Sequence, residues 1–453
     1  MRRLSTVARH ARIALPLVAA LGLLAASPVA AQERELEQGP AAASIYEIES
    51  PLEQAYPEPH VRTPLFPSIQ KRIEPLPPFF SDSKLYLRYR TYYFRRDRTN
   101  RLVSEAWAMG GSLYYHSGWL KERFAVELET FTSQPVNASD SRDGTLLLRP
   151  GQKGYTVLGV ANAKLRHGDF TLTGFRQKLD LPYLNQQDNR MTPNTFEAVK
   201  FAKERGSLRF SAGYAWRFKG RNDDDFDPLS NRAGVSQDRG AAFADVLWSP
   251  GEALHAGVSA FVVPDLLATV YAETHYSMPL TDAVDFRIDA QFTHQQSVGD
   301  ELIAGSSFET WNLGLRGAAS WLGAVARLAF AVTDDDRRIE NFYGSNPTYI
   351  SLMQRSYTRA GEKAALISLS YDLSRLGVED LSAVANFAQG WNGKVAGERR
   401  DSRELDVTVD YRIGRGSLKS LWLRLRGSWH HDQGTPKTAT DFRVILRYEL
   451  PVI

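Results

Sequence analysis

The stretch Asp441–Leu450, with the sequence DFRVILRYEL, decides the fold class of this chain. Its apolar side chains occupy alternate positions: Phe442, Val444, Leu446 and Tyr448. The charged side chains lie on the other set of positions: Asp441, Arg443, Arg447 and Glu449. Because successive side chains of a β-strand point to opposite faces of a sheet, this period of two predicts a strand with one apolar and one charged face.

The same alternation recurs in segments of roughly ten residues back to Lys84, separated by Gly, Asn, Asp and Pro. A soluble β-sandwich also alternates. Here, however, charged residues recur on the polar face and aromatic residues recur near the strand ends of the apolar face. Both features favour an all-β fold, a transmembrane antiparallel up-and-down β-barrel with a wet interior. At about 20 residues per strand and connection, Ser83–Ile453 predicts about 18 strands, with sixteen as the alternative.

The N-terminus predicts export. Basic residues near the start, an apolar run from Ile13 to Leu24 and the small residues Val29-Ala30-Ala31 indicate a cleaved signal peptide over residues 1–31. The alternative is a retained anchor, but the apolar run is short for a spanning helix. Residues 32–82 are rich in proline and are predicted to be a periplasmic segment; alternatively, they cap the barrel mouth. Residues 83–453 are the predicted barrel.

Composition excludes several classes of function. The chain has no cysteine, so no disulfide framework supports it. Its 55 basic and 52 acidic residues give a net charge of +3, which carries no bias towards nucleic acid. No phosphate-cradling glycine loop and no clustered His/Cys set is visible in the sequence. We therefore expect no cofactor, no metal site and no nucleic-acid partner.

Five arginines share the polar face of three consecutive C-terminal segments: Arg412, Arg424, Arg426, Arg443 and Arg447. Since adjacent strands lie about 4.8 Å apart, they are predicted to form a contiguous basic wall in the lumen. Each guanidinium can receive a carboxylate bidentately, so the wall can pass an anionic group along. The alternative is that the wall is neutralised by neighbouring acidic residues, namely Asp406, Asp410, Asp441 and Glu449.

Two long connections are candidates for a constriction, Tyr183–Phe201 and Asp334–Lys363. Both are rich in turn-forming residues. Either they fold into the lumen and narrow it, or they are exposed surface loops, and composition alone leaves both open.

Several motifs in these connections resemble the OprD family of outer-membrane porins. Leu181–Leu184, Asp188–Met191 and Pro193–Phe196 resemble the inward third loop of that family. Tyr343-Gly344, Pro347–Tyr349 and Arg359–Ala364 are similar to its seventh loop and the following strand. Further similar stretches occur in the same order along the chain: Glu105–Ala108, Gly377–Leu381 and Leu418–Leu421. The terminal Pro451-Val452-Ile453 differs from the family, which ends in an aromatic residue, and the proline-rich leader is longer.

The resemblance implies an 18-stranded barrel for selective passive uptake of small carboxylate-bearing solutes such as amino acids and aromatic acids. It also implies an arginine ladder, in agreement with the basic wall. The constriction would lie between that ladder and an acidic or polar patch of the two loops. We assign this patch to Asp188 and Arg190, and to Asp334, Asp335 and Asp336.

The expected location is the outer membrane of a Gram-negative bacterium. The expected partners are outer-membrane lipid, small carboxylate solutes and the barrel assembly machinery, and the expected state is a monomer or a loose trimer. The competing function is a barrel enzyme of the lipase or protease type, which needs a nucleophile and a base together at one rim. His275, His294 and His430 lie in predicted strands, but no Gly-x-Ser-x-Gly elbow occurs, so we predict no catalytic residues. A purely structural barrel is disfavoured by the arginine-rich faces.

Overall fold

The computed structural model describes residues 64–453 except residues 101 and 417. The predicted signal peptide and most of the proline-rich segment therefore lie outside the described residues. From residue 64 onwards, two short helices, α1 (Pro67–Ile73) and α2 (Pro78–Ser81), precede the first strand. In the described part of the chain, no helix is long and apolar enough to cross a lipid bilayer.

Eighteen antiparallel strands form a closed barrel, which confirms the predicted fold class and strand number. The barrel strands are β1 (Lys84–Asp97), β2 (Val103–His116), β3 (Phe124–Ala138), β4 (Tyr155–His167), β5 (Phe170–Gln177), β8 (Thr195–Arg205), β9 (Leu208–Lys219), β11 (Ala241–Trp248), β12 (Leu254–Val263), β13 (Leu267–Thr281), β14 (Val284–Ser297), β15 (Glu309–Trp321), β16 (Ala324–Thr333), β17 (Lys363–Asp372), β18 (Leu381–Val395), β19 (Glu398–Arg412), β20 (Leu421–Asp432) and β21 (Ala439–Pro451).

Three short strands lie outside the barrel ladder proper: β6 (Asp180–Leu181), β7 (Leu184–Asn185) and β10 (Asp227–Pro228). β6 and β7 pair as a small hairpin, and β10 adds to the end of β9. The barrel closes where β1 pairs with β21, from Tyr86 opposite Pro451 to Asp97 opposite Thr440. Closure pairs both strands that would otherwise be edges.

The barrel is apolar on its outer face and polar on its inner face, the reverse of the arrangement in a soluble protein. On β21, Asp441 and Arg443 are each 2% exposed and face the lumen, while Phe442 between them is 49% exposed on the outer surface. The same outward exposure recurs for apolar residues around the barrel, including Leu313, Leu315, Leu328, Phe330, Ile367 and Leu369. An apolar outer band around a polar interior is the arrangement that a bilayer requires of a barrel.

The two ends of the barrel differ in the length of their connections. At the turn end, residues 168–169 and 206–207 join strands in two residues, and Gly168 and Gly206 adopt positive φ angles of 56° and 57°. Such tight hairpin turns need the left-handed conformation that glycine adopts readily. The loop end carries the long connections, above all loop 3 (residues 178–194) and loop 7 (residues 334–362). Loop 3 is shorter than the sequence predicts, because Thr195–Phe201 pairs with β5 and β9 as part of β8.

The described part of the proline-rich segment follows the rim at the turn end. The backbone N–H groups of Leu65 and Phe66 donate to the carbonyls of Pro451 and Val452 at 3.0 and 3.1 Å. At the other side of the segment, Gly118 N–H donates to the Phe79 carbonyl at 3.1 Å. These bonds tie residues 65–79 to the end of the last strand and to the turn between β2 and β3.

Candidate solute-binding lumen

The five predicted arginines lie side by side on the lumen face of β19, β20 and β21. Register places Arg426 opposite Arg443 across β20 and β21. Strand β1 extends the surface, because Arg90 lies opposite Arg447 across the closure of the barrel. We call this surface the basic wall; its members are Arg88, Arg90, Arg96, Arg412, Arg424, Arg426, Arg443 and Arg447. The contribution of β1 was missed because the barrel closure that brings the first and last strands together is not visible in local sequence.

Aromatic rings separate the guanidinium groups of the basic wall. Arg412, Arg424 and Arg447 lie over the Trp422 ring, at 4.3, 4.4 and 4.9 Å from its centroid. Around Phe94, the corresponding distances are 4.6 Å for Arg443 and 5.2 Å for Arg96. Because the face of an aromatic ring attracts cations, these rings hold several positive charges close together.

Acidic neighbours neutralise part of the basic wall. Arg424 pairs with Asp410 at 2.6 Å, and Arg443 pairs with Asp441 at 2.7 Å. Of the other two acidic candidates, Glu449 pairs with Arg88 at 2.7 Å, whereas Asp406 accepts the backbone N–H of Met353 at 2.7 Å.

Arg426 differs from these paired arginines. It is 3% exposed and donates from Nε to Thr408 Oγ1 at 3.1 Å, and its Nη1 has no hydrogen-bond partner. Within the described chain it forms no ion pair with a carboxylate. Burying a charged group without a counter-ion is costly, so Arg426 is a site where an anion would be stabilised.

Loop 3 is fastened to the basic wall by Asp188. Its two carboxylate oxygens each accept a hydrogen bond at 2.7 Å from Arg90, a side chain with no exposed surface. Burial by itself raises the pKa of Asp188, but the Arg90 charge and hydrogen bonds bring that pKa below its ordinary value. Asp188 is therefore an ionised anchor for the loop.

Arg190 follows in the same loop and is held by uncharged groups. Its Nε donates to the Thr145 carbonyl at 2.8 Å, and its guanidinium lies 5.1 Å from the Phe94 ring centroid. Burial lowers the pKa of Arg190 well below its usual range, and the charges of Arg221 and Arg443 lower it further. Burial likewise lowers the pKa of Arg221 to about 10, with Arg443 adding to the effect. In the described residues, neither Arg190 nor Arg221 forms an ion pair with a carboxylate.

Loop 7 also folds into the barrel. Its Gln354 N–H donates to Glu404 at 2.7 Å, and its Met353 carbonyl accepts from Arg443 at 3.2 Å. The two loops meet where Asn185 Oδ1 accepts the N–H of Ser345 at 2.8 Å. Both long connections are thus inward constriction loops rather than exposed surface loops.

The acidic triplet at the start of loop 7 lies elsewhere. Asp335 pairs at the loop end with Lys394 and Arg399, each at 2.9 Å. Asp336 is exposed, and its N–H donates to Asp334 at 3.1 Å. The fold therefore does not bring Asp334, Asp335 or Asp336 to the cavities described below.

The main cavity, of about 660 Å³, lies between the two loops and the strands across the lumen from the basic wall. Among the predicted site residues, Asp188 lines it. Its other acidic, arginine and histidine lining residues were not predicted: Asp180, Arg209, Asp245, Glu252, His255, Glu273, His275, Arg287, Arg316 and Arg327. The arginines on β14–β16 fall on lumen-facing alternate positions, and this is the signal that could have identified them.

A side cavity of about 390 Å³ adjoins the basic wall at Arg88. It is lined by the cations Arg88, Lys164, Lys178 and Lys200 and by the carboxylates Glu127 and Glu129. Glu129 pairs with both Lys178 and Arg88, at 2.7 and 3.2 Å. The lining therefore holds more cations than carboxylates, which continues the positive character of the basic wall.

A closed barrel with an apolar outer band and a polar lumen narrowed by two inward loops is a pore-forming protein of the bacterial outer membrane, a porin. The family model described as "outer membrane porin, OprD family" matches residues 77–452. The chain belongs to the OprD family, which confirms the resemblance seen in the sequence. The comparison with curated proteins finds no match.

Solved structures show the same fold. Pseudomonas aeruginosa OccK9 (OpdG) is 24% identical, with a TM-score of 0.78 over 83% of this chain and 100% of that chain. A BenF-like porin from Pseudomonas fluorescens Pf-5 is 20% identical, with a TM-score of 0.77 over 82% of this chain and 100% of that chain. Pseudomonas aeruginosa OpdK with vanillate is 21% identical, with a TM-score of 0.74 over 82% and 100%.

Proposed function

We propose that this porin is a selective passive channel for small solutes that bear a carboxylate, such as amino acids and aromatic or other organic acids. The observation that carries this proposal is the buried positive charge without a carboxylate partner where loop 3 meets the basic wall. Arg426 and Arg190 are both buried there. A solute carboxylate would supply the missing counter-ion, because a guanidinium fork fits a carboxylate bidentately.

The proposed path leads the carboxylate along the basic wall. The carboxylate would pass by successive contacts between five arginines: Arg412, Arg424, Arg426, Arg443 and Arg447. Asp188 and Arg190 would shape the narrow part of the lumen. We propose no role in binding for Asp334, Asp335 and Asp336, because the contacts of Asp335 hold it at the loop end. Vanillate, present in the OpdK structure, is an aromatic carboxylate and belongs to the proposed solute class.

Paired probes test this proposal. Uptake of benzoate and of the uncharged isostere benzamide into proteoliposomes measures the preference for a carboxylate while size and shape stay constant. We expect benzoate to be taken up faster than benzamide, and we expect benzoate to alter single-channel conductance in planar bilayers. Equal uptake of the two probes, with no effect of benzoate on conductance, would refute a carboxylate-selective channel.

We also propose how the barrel is oriented in the membrane, processed and assembled. We place the turn end in the periplasm and the long loops outside the cell, as in other barrels of this kind. Residues 1–31 would be removed as a signal peptide, and residues 32–82 would lie in the periplasm. Assembly would require the barrel assembly machinery, and the product would be a monomer or a loose trimer. The mass of the purified protein–detergent complex tests the last point.

We also propose that the barrel has no enzymatic activity. The contacts that most resemble a hydrolase site join Ser249 Oγ to His255 Nδ1 at 3.1 Å, and His255 Nε2 to Glu273 at 3.4 Å. However, Glu273 is shared with His275 at 3.5 Å, so it does not serve one histidine alone. Hydrolysis of an activated ester by the wild type, lost in Ser249→Ala, would establish the enzyme alternative instead.

A further inference from the structure

Two histidines and one glutamate meet on the lumen face opposite the basic wall. His255 lies on β12, and Glu273 and His275 lie on the adjacent β13, where register places His275 opposite His255. All three residues line the main cavity. One ligand atom from each lies within 4.8 Å of the other two. Two imidazoles and one carboxylate are a ligand set typical of zinc and related transition metals.

The distances from Glu273 to the two histidines fit a single ion. Glu273 Oε1 lies 3.4 Å from His255 Nε2 and 3.5 Å from His275 Nε2. Around a tetrahedral zinc ion with bonds of about 2.1 Å, neighbouring ligand atoms are about 3.4 Å apart. The side chains of His255, Glu273 and His275 are 31%, 26% and 14% exposed, so an ion can reach them from the cavity.

Outer contacts orient each of the three groups. His275 Nδ1 lies 2.6 Å from Asp289 Oδ1, and His255 Nδ1 lies 3.1 Å from Ser249 Oγ. The Asp289 contact holds the His275 ring so that its Nε2 faces Glu273. Tyr271 donates its hydroxyl to the other oxygen of Glu273 at 2.7 Å. Orienting contacts of this kind are characteristic of metal ligands in proteins.

Two carboxylates lie near the histidines, Asp289 and Glu273. Arginines compensate the charge of Asp289, so Glu273 is the carboxylate that would bind the ion. Asp289 also accepts hydrogen bonds from Arg287 and from Arg316, the latter at 2.7 Å. These two arginines compensate Asp289, and Arg287 also contacts Nδ1 of His275. Without a metal, the same histidines would only contact Glu273, and titration with a metal ion separates the two cases.

We propose that His255, Glu273 and His275 bind one divalent transition-metal ion of the zinc type. Three protein ligands leave at least one coordination position open towards the main cavity. A bound ion adds positive charge on the side of the lumen that faces the basic wall, and it offers a solute carboxylate or imidazole a direct ligand position. This inference does not depend on the proposed carboxylate transport, because the site is defined by its own geometry.

The site is tested by titrating ZnCl₂ into the metal-stripped full-length protein in detergent and measuring the heat of binding by calorimetry. We expect one Zn²⁺ per chain in the wild type, no binding in His255→Ala, and binding weakened at least ~100-fold in Glu273→Gln, because a residue that binds the ion directly contributes more than the 10–100-fold of a residue that orients a ligand. His294→Ala is the matched control. His294 is also a strand histidine beside a glutamate, at 2.9 Å from Glu309, but in the described chain it belongs to no three-ligand group. MgCl₂ should give no heat, because magnesium prefers oxygen ligands.

Absence of Zn²⁺ binding to the wild type, or equal binding to His255→Ala, would overturn the proposal. If either variant fails to assemble into a heat-modifiable barrel, CoCl₂ added to the wild type decides instead. The visible absorption of Co²⁺ should then show a low-coordinate site with nitrogen ligands, and a spectrum identical to that of hydrated Co²⁺ would refute it. Zn²⁺ should also change the single-channel conductance of the wild type and of His294→Ala to the same extent.

Discussion

The two sides of the lumen use charge in different ways. On the basic wall, arginines stack on Phe94 and Trp422, and Arg426 has no carboxylate partner among the described residues. On the opposite side, Arg287 and Arg316 converge on Asp289, and two histidines converge on Glu273. The first side carries surplus positive charge, and the second is a mixed network. The arginines of one lumen therefore have different roles, which depend on whether acidic residues lie within reach.

The largest effect is expected where the basic wall holds loop 3. Arg90→Ala leaves Asp188 buried without its bidentate partner, and breaking a buried pair costs about 3–5 kcal/mol. Loop 3 should detach from the wall, so single-channel conductance should rise and the preference for benzoate over benzamide should fall. Planar-bilayer recording measures the rise in conductance, and urea unfolding measures the loss of stability. The double variant Arg90→Ala with Asp188→Ala should recover part of the stability, and unchanged conductance in both would show that this pair does not hold the constriction.

A smaller effect is expected where loop 7 meets β19. Burial raises the pKa of Glu362 to about 7, although Arg355 lowers it, and Glu362 has no exposed surface. Because this pKa is higher in the folded than in the unfolded protein, folding is favoured at low pH. Stability on the order of 2–3 kcal/mol should be lost as the pH rises from about 4.5 to about 7.

Urea unfolding of wild type and Glu362→Gln at pH 5 and pH 8 checks this dependence. The amide cannot ionise, so the variant should lose most of the difference between the two pH values. An equal pH dependence in both proteins would assign the effect to groups other than Glu362.

A more local effect is expected at Arg426, which forms no ion pair with a carboxylate among the described residues. Arg426→Gln removes positive charge without leaving an ion-paired carboxylate behind, so assembly should be unchanged. Benzoate uptake should fall several-fold, equivalent to about 1 kcal/mol, while benzamide uptake stays constant. Arg415→Gln is the matched control, because Arg415 is 78% exposed at the turn end, paired with Glu379 at 2.8 Å. Equal benzoate uptake by wild type and Arg426→Gln would remove Arg426 from the path.

The smallest effect is expected at the loop-end rim. Asp335→Asn removes an exposed carboxylate that pairs with Lys394 and Arg399, and exposed ion pairs contribute little. Conductance, benzoate preference and stability should all equal those of the wild type. A clear change in benzoate preference would instead place the acidic triplet in the solute path.

The alternation of apolar and polar residues along the chain predicted most of the fold and part of the candidate site. The barrel, its strand number and the shared face of Arg412, Arg424, Arg426, Arg443 and Arg447 follow from alternation and from the spacing of neighbouring strands. The end of loop 3 was misplaced at Phe201, because Thr195–Phe201 contains residues that suit both a loop and a strand, and pairing with β5 and β9 decides between them. The residues of β12–β16 that line the main cavity were not predicted, because loops distant in the chain complete this cavity.

By itself, the sequence determined which face of each strand is apolar and which carries arginines, because a period of two is a local property of the backbone. The three-dimensional fold decides which of those arginines also meet partners from distant parts of the chain, beyond near neighbours such as Asp441 beside Arg443. Arg90 meets Asp188 across 98 residues, and Arg443 meets Met353 across 90. The same reason explains the inward position of both loops and the meeting of His255 with His275. Charge compensation in a lumen depends on distances of a few ångströms across strands and loops, and barrel closure sets those distances.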